Sequence, residues 1–196
     1  MLSTVNKIKM LVFSLFFMFA FSHANMLEVD KAHSEVGFSV KHLMISNVKG
    51  KFLEYDGSID YDIKKQTFNS LSAKINAKSI DTGIVKRDNH LRSEDFFHAD
   101  KHPNLTFVMT KYDADGDEGT MEGDLTIRGV TRSVKLDVEI NGVIKDFNGN
   151  TRVGFTIEGK INRKDFGLTW NKALEFGGVA VGDKVKMLIE LETVAK

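Results

Sequence analysis

The chain has 196 residues, 27 basic and 27 acidic side chains, and no cysteine. That length suits a single domain, and the charge balance offers no basic footprint for nucleic acid. Without thiols, disulfides, thiolate nucleophiles and thiolate metal sites are excluded.

Lys7 and Lys9 precede an apolar run over 11–21, broken only by Ser14, and Ser22-His23-Ala24 follows. A basic start, a short apolar middle and a small-x-small exit predict a secretory signal cut after Ala24. The run is too short to span a bilayer, which takes about 20 residues. The mature chain would then be 25–196, with a formal charge of −2 once Lys7 and Lys9 are gone, and export to the periplasm is expected. Its first residue, Asn25, is no acceptor for a lipid anchor.

Apolar and polar residues then alternate. Val36, Phe38 and Val40 oppose Gly37, Ser39 and Lys41. Over 52–61 the parities of Phe52 and Ile59 conflict, which predicts a bulge or bend near Asp56-Gly57. Leu71, Ala73, Ile75 and Ala77 alternate again. Residues 81–98 predict a helix, capped by Asp81 or Thr82, with Ile84, Arg87, Leu91 and Asp95 along one face. Leu105, Phe107 and Met109 form the next strand, and 113–119 a turn. Met121, Gly123, Leu125 and Ile127 lead to Arg128-Gly129, then Val134, Leu136, Val138 and Ile140. Asn141-Gly142 and Asn148-Gly149 read as hairpin turns, since such pairs tolerate positive φ. Val153, Phe155, Ile157, Gly159 and Ile161 alternate, as do Val185, Met187, Ile189 and Leu191. The stretch 165–183 reads as a Gly-rich loop with one helical turn at 172–175.

Eight strands with a period of two and one helix predict an all-β fold, an eight-stranded antiparallel barrel with the 81–98 helix near its mouth. Such a barrel is either filled by side chains or holds one small ligand. Small inward residues (Ala73, Ala77, Gly123, Gly159) lean towards a cavity.

Several runs resemble the YceI-like, polyisoprenoid-binding family. They begin with Asp30-Lys-Ala-His33-Ser34-Glu-Val-Gly-Phe38-Ser-Val40-Lys-His42, Val48-Lys-Gly50-Lys-Phe52 and Ser79-Ile80-Asp81-Thr82-Gly83. The most specific is Arg87-Asp88-Asn-His90-Leu91-Arg92-Ser93-Glu-Asp95-Phe96-Phe97, followed by His102-Pro103 and Thr106-Phe107. Gly123-Asp124-Leu125-Thr126-Ile127-Arg-Gly129-Val-Thr131 and Arg163-Lys-Asp165-Phe166-Gly167-Leu168 complete the match. His98 departs from it, standing where an acid often follows the Phe pair. The resemblance implies a lipocalin-like periplasmic barrel whose apolar tunnel holds a long-chain isoprenoid, quinone or fatty-acid derivative. It supplies no catalytic residue and no cofactor.

Phe52, Phe107, Phe155, Phe166, Leu168 and Trp170 are by default core. The resemblance makes them ligand lining, together with Phe38, Val40, Ile75, Leu91, Leu125 and Leu136. His33, His42, Arg87, Asp88 and His90 form a polar cluster at the mouth, which either pins the helix or meets a head group; His42, Arg87 and Asp88 are retained as ligand contacts. His98 and His102 are four apart, but Pro103 breaks the helical spacing a metal pair needs. Asp113, Asp115 and Asp117 mimic a calcium loop, with Glu118 where glycine should stand. No Gly-x-Ser-x-Gly elbow occurs. A non-enzymatic lipid carrier without metal or cofactor is therefore expected, with a homodimer left open. An enzyme using the His/Asp cluster and a filled-barrel interaction protein are the alternatives.

Overall fold

The computed structural model describes residues 26–175 and 177–195. The expected leader and Asn25 lie outside these residues. The strands are β1 (Met26–Val29), β2 (Glu35–His42), β3 (Ser46–Phe52), β4 (Tyr55–Asp62), β5 (Thr67–Asn76), β6 (Ile80–Asp81), β7 (Asn104–Asp115), β8 (Glu118–Ile127), β9 (Val130–Lys145), β10 (Thr151–Asn162) and β11 (Val181–Ala195). One helix, α1 (Val85–Arg92), follows β6.

Pairing runs β1-β4-β5-β7-β8-β9-β10-β11 and returns to β1, closing an eight-stave antiparallel barrel. Closure removes the unpaired edges that an open sheet would expose. Two staves are broken. β2 carries on from β1 along the same side of β11, and β3 leads into β4. All eight strands expected from the alternation are present.

The bend expected near Asp56-Gly57 falls instead at Leu53 and Glu54. Their amides donate to the carbonyl and the hydroxyl of Ser79, at 3.1 and 3.0 Å, and so leave the ladder. Gly57 stays in register with Ala73. Above this break β3 has β6, not β5, as its second neighbour, and α1 with the chain after it fills the gap in the wall.

The helix is shorter than expected. Asp81 is drawn into β6 opposite Lys51, and Ile84 occupies the cap position without a side-chain bond. Asp88 replaces the expected cap from inside the first turn, accepting from the Thr82 amide at 2.9 Å. Beyond Arg92 the chain folds back: Phe97 and Ala99 donate to Leu91 and Arg92, capturing the last carbonyls. Of the expected face, Leu91 packs against the core while Ile84 and Asp95 are exposed.

Arg128 and Gly129 turn at φ 52° and 74°, and Gly149 closes its hairpin at φ 83°. Asn141-Gly142 is not a turn. β9 runs through it, with a bulge opposite Gly154 and Phe155. No helical turn forms at 172–175; Gly177 and Gly178 reverse the chain at φ 88° and 93°, and Ala173 bridges Val179.

One end of the barrel is plugged by aromatic rings. Phe68 meets Tyr61, Tyr112 and Phe155, and Tyr61 meets Phe155, at 4.9–5.0 Å between centroids. Such pairs are worth about 0.5–1.5 kcal/mol each beyond their burial. This end carries the turns after β4, β7 and β9; β1 begins and β11 ends there.

Candidate functional site

Above the plug the barrel is hollow. A cavity of about 200 Å³, open at one margin, runs from the plug towards the end that carries α1. Val36, Phe38 and Val40 of β2 form one wall, continued by Val185, Met187, Ile189 and Leu191 of β11. Leu105 and Phe107 of β7 face them, with Met121, Leu125 and Ile127 of β8 and Leu136 of β9. Leu91, Phe96 and Phe97 bound it on the helix side. The inward residues of β2 and β11 remain half-exposed because they face this space, whereas Val153 and Phe155 at the plug are fully buried.

The small inward residues act differently from the expectation. Only Ala73 borders the cavity. Gly123 lies under the ring of Phe107, Gly50 under Phe38 (2.5 Å from where a Cβ would sit) and Gly159 under Leu136 (2.5 Å). Each glycine is a seat that lets a large neighbour lie flat on the wall, leaving the axis open.

Among the nominated residues, Phe38, Val40, Phe52, Ile75, Leu91, Phe107, Leu125, Leu136 and Leu168 line the cavity. Six nominees do not. Phe155 belongs to the plug. Phe166 is buried in the short 3-10 turn Arg163–Phe166. Trp170 packs on His90 and Phe96, at 4.8 and 5.2 Å between centroids. His42 sits on the rim, half-buried, where β2 ends opposite Val181. Arg87 and Asp88 turn away from the cavity onto Thr82. Arg87 donates to the hydroxyl and the carbonyl, at 2.7 and 2.8 Å, and Asp88 accepts from the same residue.

The expected polar cluster therefore divides. Arg87, Thr82 and Asp88 lock α1 to the strand before it, and His90 lies 2.9 Å from Asp95. His33 stands elsewhere, 3.0 Å from Asp30. Asp30, His33 and Glu192 are close enough together to suggest ligands. Arg152 already occupies that site, however, 2.8 Å from Asp30 and 2.5 Å from Glu192. His98 and His102 meet edge to face, 5.9 Å apart, and no third ligand joins them among the described residues.

Sequence reasoning did not nominate Arg163. It borders the cavity yet is buried, donating from Nε to the Gly182 carbonyl at 2.9 Å and from Nη1 to those of Leu168 and Trp170. Burial pushes its pKa down from the usual arginine value, with Asp183, 3.6 Å away, opposing. With a longer contact from Nη2 to the Val181 carbonyl (3.4 Å), these bonds hold the 167–171 segment against the start of β11. Val36 and the inward face of β11 were also missed as lining, although their alternation marks them plainly.

Residues 27–193 match the YceI-like domain. The chain belongs to the YceI-like family. Among its relatives is a UPF0312 protein of Staphylococcus epidermidis, 45% identical over 158 residues, which cover 80% of this chain and 90% of the relative. The crystal structure of the Campylobacter jejuni YCEI protein superposes with a TM-score of 0.72 at 43% identity, covering 85% of this chain and 96% of that one. A polyisoprenoid binding domain from Saccharophagus degradans, implicated in plant cell wall breakdown, shares the fold with a TM-score of 0.62 at 17% identity, covering 89% and 100% of the two chains. The eight-stave barrel with one helix is thus the YceI-like architecture.

Proposed function

We propose that this YceI-like protein is an exported carrier that holds one long-chain lipid of the isoprenoid type in its barrel. The observation that carries the reading is the shape and lining of the cavity. From Val181 to Leu191 the lined part of β11 spans about 33 Å along the strand, or about 25 Å along a barrel axis tilted as usual. A long apolar slot fits a long chain better than a compact ring system. The Saccharophagus neighbour's description as a polyisoprenoid binding domain favours isoprenoids over quinones and fatty-acid derivatives. The leader-like 1–24 supports export to the periplasm.

The titratable groups at the cavity are committed elsewhere, which favours a carrier over an enzyme. Arg163 is bonded to carbonyls, the Tyr55 hydroxyl donates to the Ser34 carbonyl at 2.9 Å, and Asp56 pairs with Lys31. General acid–base work needs a group free to exchange its proton with a bound substrate.

Organic extraction and mass spectrometry of the protein as recovered from cells test the reading. A stoichiometric long-chain lipid, unchanged after prolonged incubation, is expected. An empty extract with no uptake of a prenyl reporter, or a lipid chemically altered by incubation, overturns it.

A further inference from the structure

The β2–β3 turn presents large apolar side chains to solvent: Leu43, Met44 and Ile45 are 38%, 52% and 84% exposed. Leu43 and Met44 hold φ at 50° and 62°, where glycine or asparagine fits with least strain. Bulk is thus kept at a point where backbone geometry favours its removal. The turn is also braced. The Leu43 amide donates to the Ala180 carbonyl at 2.9 Å, the Ile45 amide to that of His42 at 3.2 Å, and Met44 lies against Gly178.

Charge along the hairpin itself has one sign; on the neighbouring segment the acids are Glu175, exposed beside Lys172, and Asp183, paired with Arg163 and Lys164. From Val36 to Leu53 the chain carries Lys41, Lys49 and Lys51 and no acid. Lys51 pairs with Glu35; Lys41 and Lys49, both exposed, join no ion pair among the described residues. The tip also adjoins the cavity. Val40 and Val181 line it, and Val181 pairs with His42 at the base of the turn.

We propose that this tip docks the protein on an anionic lipid bilayer. Leu43, Met44 and Ile45 enter the acyl boundary, and Lys41 and Lys49 meet the head-group phosphates. A convex knob of three residues falls far short of the roughly 800 Å² per partner that a stable protein interface buries. A bilayer accepts such a knob without a complementary shape, and lysines beside it add attraction to anionic lipid. Docking goes beyond the carrier reading and rests on it only for its purpose, which is lipid exchange at the adjoining end of the cavity.

The chain has no native cysteine, so an environment-sensitive dye on Ile45→Cys reports the tip alone. The same dye on Phe147→Cys reports the opposite, plugged end, where Phe147 is fully exposed in the β9–β10 hairpin. Vesicles are phosphatidylcholine alone, or with one third phosphatidylglycerol. A blue shift at 45 and none at 147 is expected with anionic vesicles, weakening as salt is raised. Met44→Ser with Ile45→Ser, and separately Lys41→Glu with Lys49→Glu, should each lower co-sedimentation about tenfold with thermal unfolding unchanged. Wild type and variants are compared in the same processed form, so any contribution of the N-terminus cancels. No shift at 45, a shift confined to 147, or a concentration-dependent dimer abolished by Ile45→Ser overturns the proposal. A carrier assay that fails while the dye still shifts overturns the carrier reading and leaves docking standing.

Discussion

Single residues set the bore of this barrel through what they omit. Gly50 has no Cβ, and the Phe38 ring and the Thr82 methyl fill the space, 2.5 and 2.7 Å from where one would sit. Both are side-chain atoms, so Gly50→Ala should fold, with Phe38 swung towards the axis. The expected cost is about 1–3 kcal/mol, with weaker retention of a long prenyl reporter. Thermal unfolding and reporter titration check both effects, and unchanged retention would mean that Phe38 does not border the bound chain. Periodicity showed which way Phe107 and Phe155 point, and both do point inward. It did not show height along the stave. Phe155 meets Tyr61 and Phe68 and becomes plug, while Phe107 rests on Gly123 and becomes wall. That distinction depends on which residues of other strands share a level, and a one-dimensional pattern does not record it.

At the scale of elements, the strands and most hairpins were legible because their signals are local, although Asn141-Gly142 carries the same signal and lies inside β9 as a bulge. Arg128-Gly129 and Asn148-Gly149 carry their own turn geometry. The helix was overestimated because its ends are decided by distant partners: β3 recruits Asp81, and a returning chain captures the carbonyls after Leu91. The break between β1 and β2 shows the same dependence. Arg152, on β10, donates to Asp30 at the break, to Asp146 in the β9–β10 hairpin and to Glu192 on β11. Its bonds hold the pKa of Asp30 and of Asp146 at about 2, down from 3.8. A carboxylate whose pKa is depressed in the fold stabilises it above the unfolded value and loses that contribution as pH falls through the folded one. The wild-type melting temperature should therefore decline between pH 3.8 and 2. Arg152→Met should melt several degrees lower at pH 7 and decline less steeply over that acid range. Parallel pH profiles for the two proteins would count against this linkage.

The whole molecule joins a filled half to a hollow half, and the hollow half makes a prediction about length. Each CH₂ that enters a dry slot contributes about 0.8 kcal/mol, before ordering costs. Ten buried carbons would supply about 8 kcal/mol gross, enough for firm binding with little help from a head group. Affinity should climb through a homologous prenyl or acyl series and level off once the slot is full. Competition against one reporter lipid measures this. A flat response to tail length with a steep response to head group would move recognition to the rim, where His42 and Arg163 lie. The overall architecture was legible in the sequence because closure needs only eight alternating segments and short turns. The division into plug and cavity appears only once the staves are aligned side by side.

Both strand ends that flank the chain's termini leave from the plugged end, where Leu27 pairs with Ala195. A tag, tether or second domain joined directly before Met26 or after Ala195 therefore leaves from the end opposite the β2–β3 tip. The strand ends at Met26 and Ala195 are neighbours, so a short peptide could join those two residues directly and the chain could be reopened at the exposed Asn148-Gly149 turn. Such a circular permutant should keep the wild-type lipid content, read by extraction and mass spectrometry. For a designer, this barrel is a socket whose wiring comes out at the back.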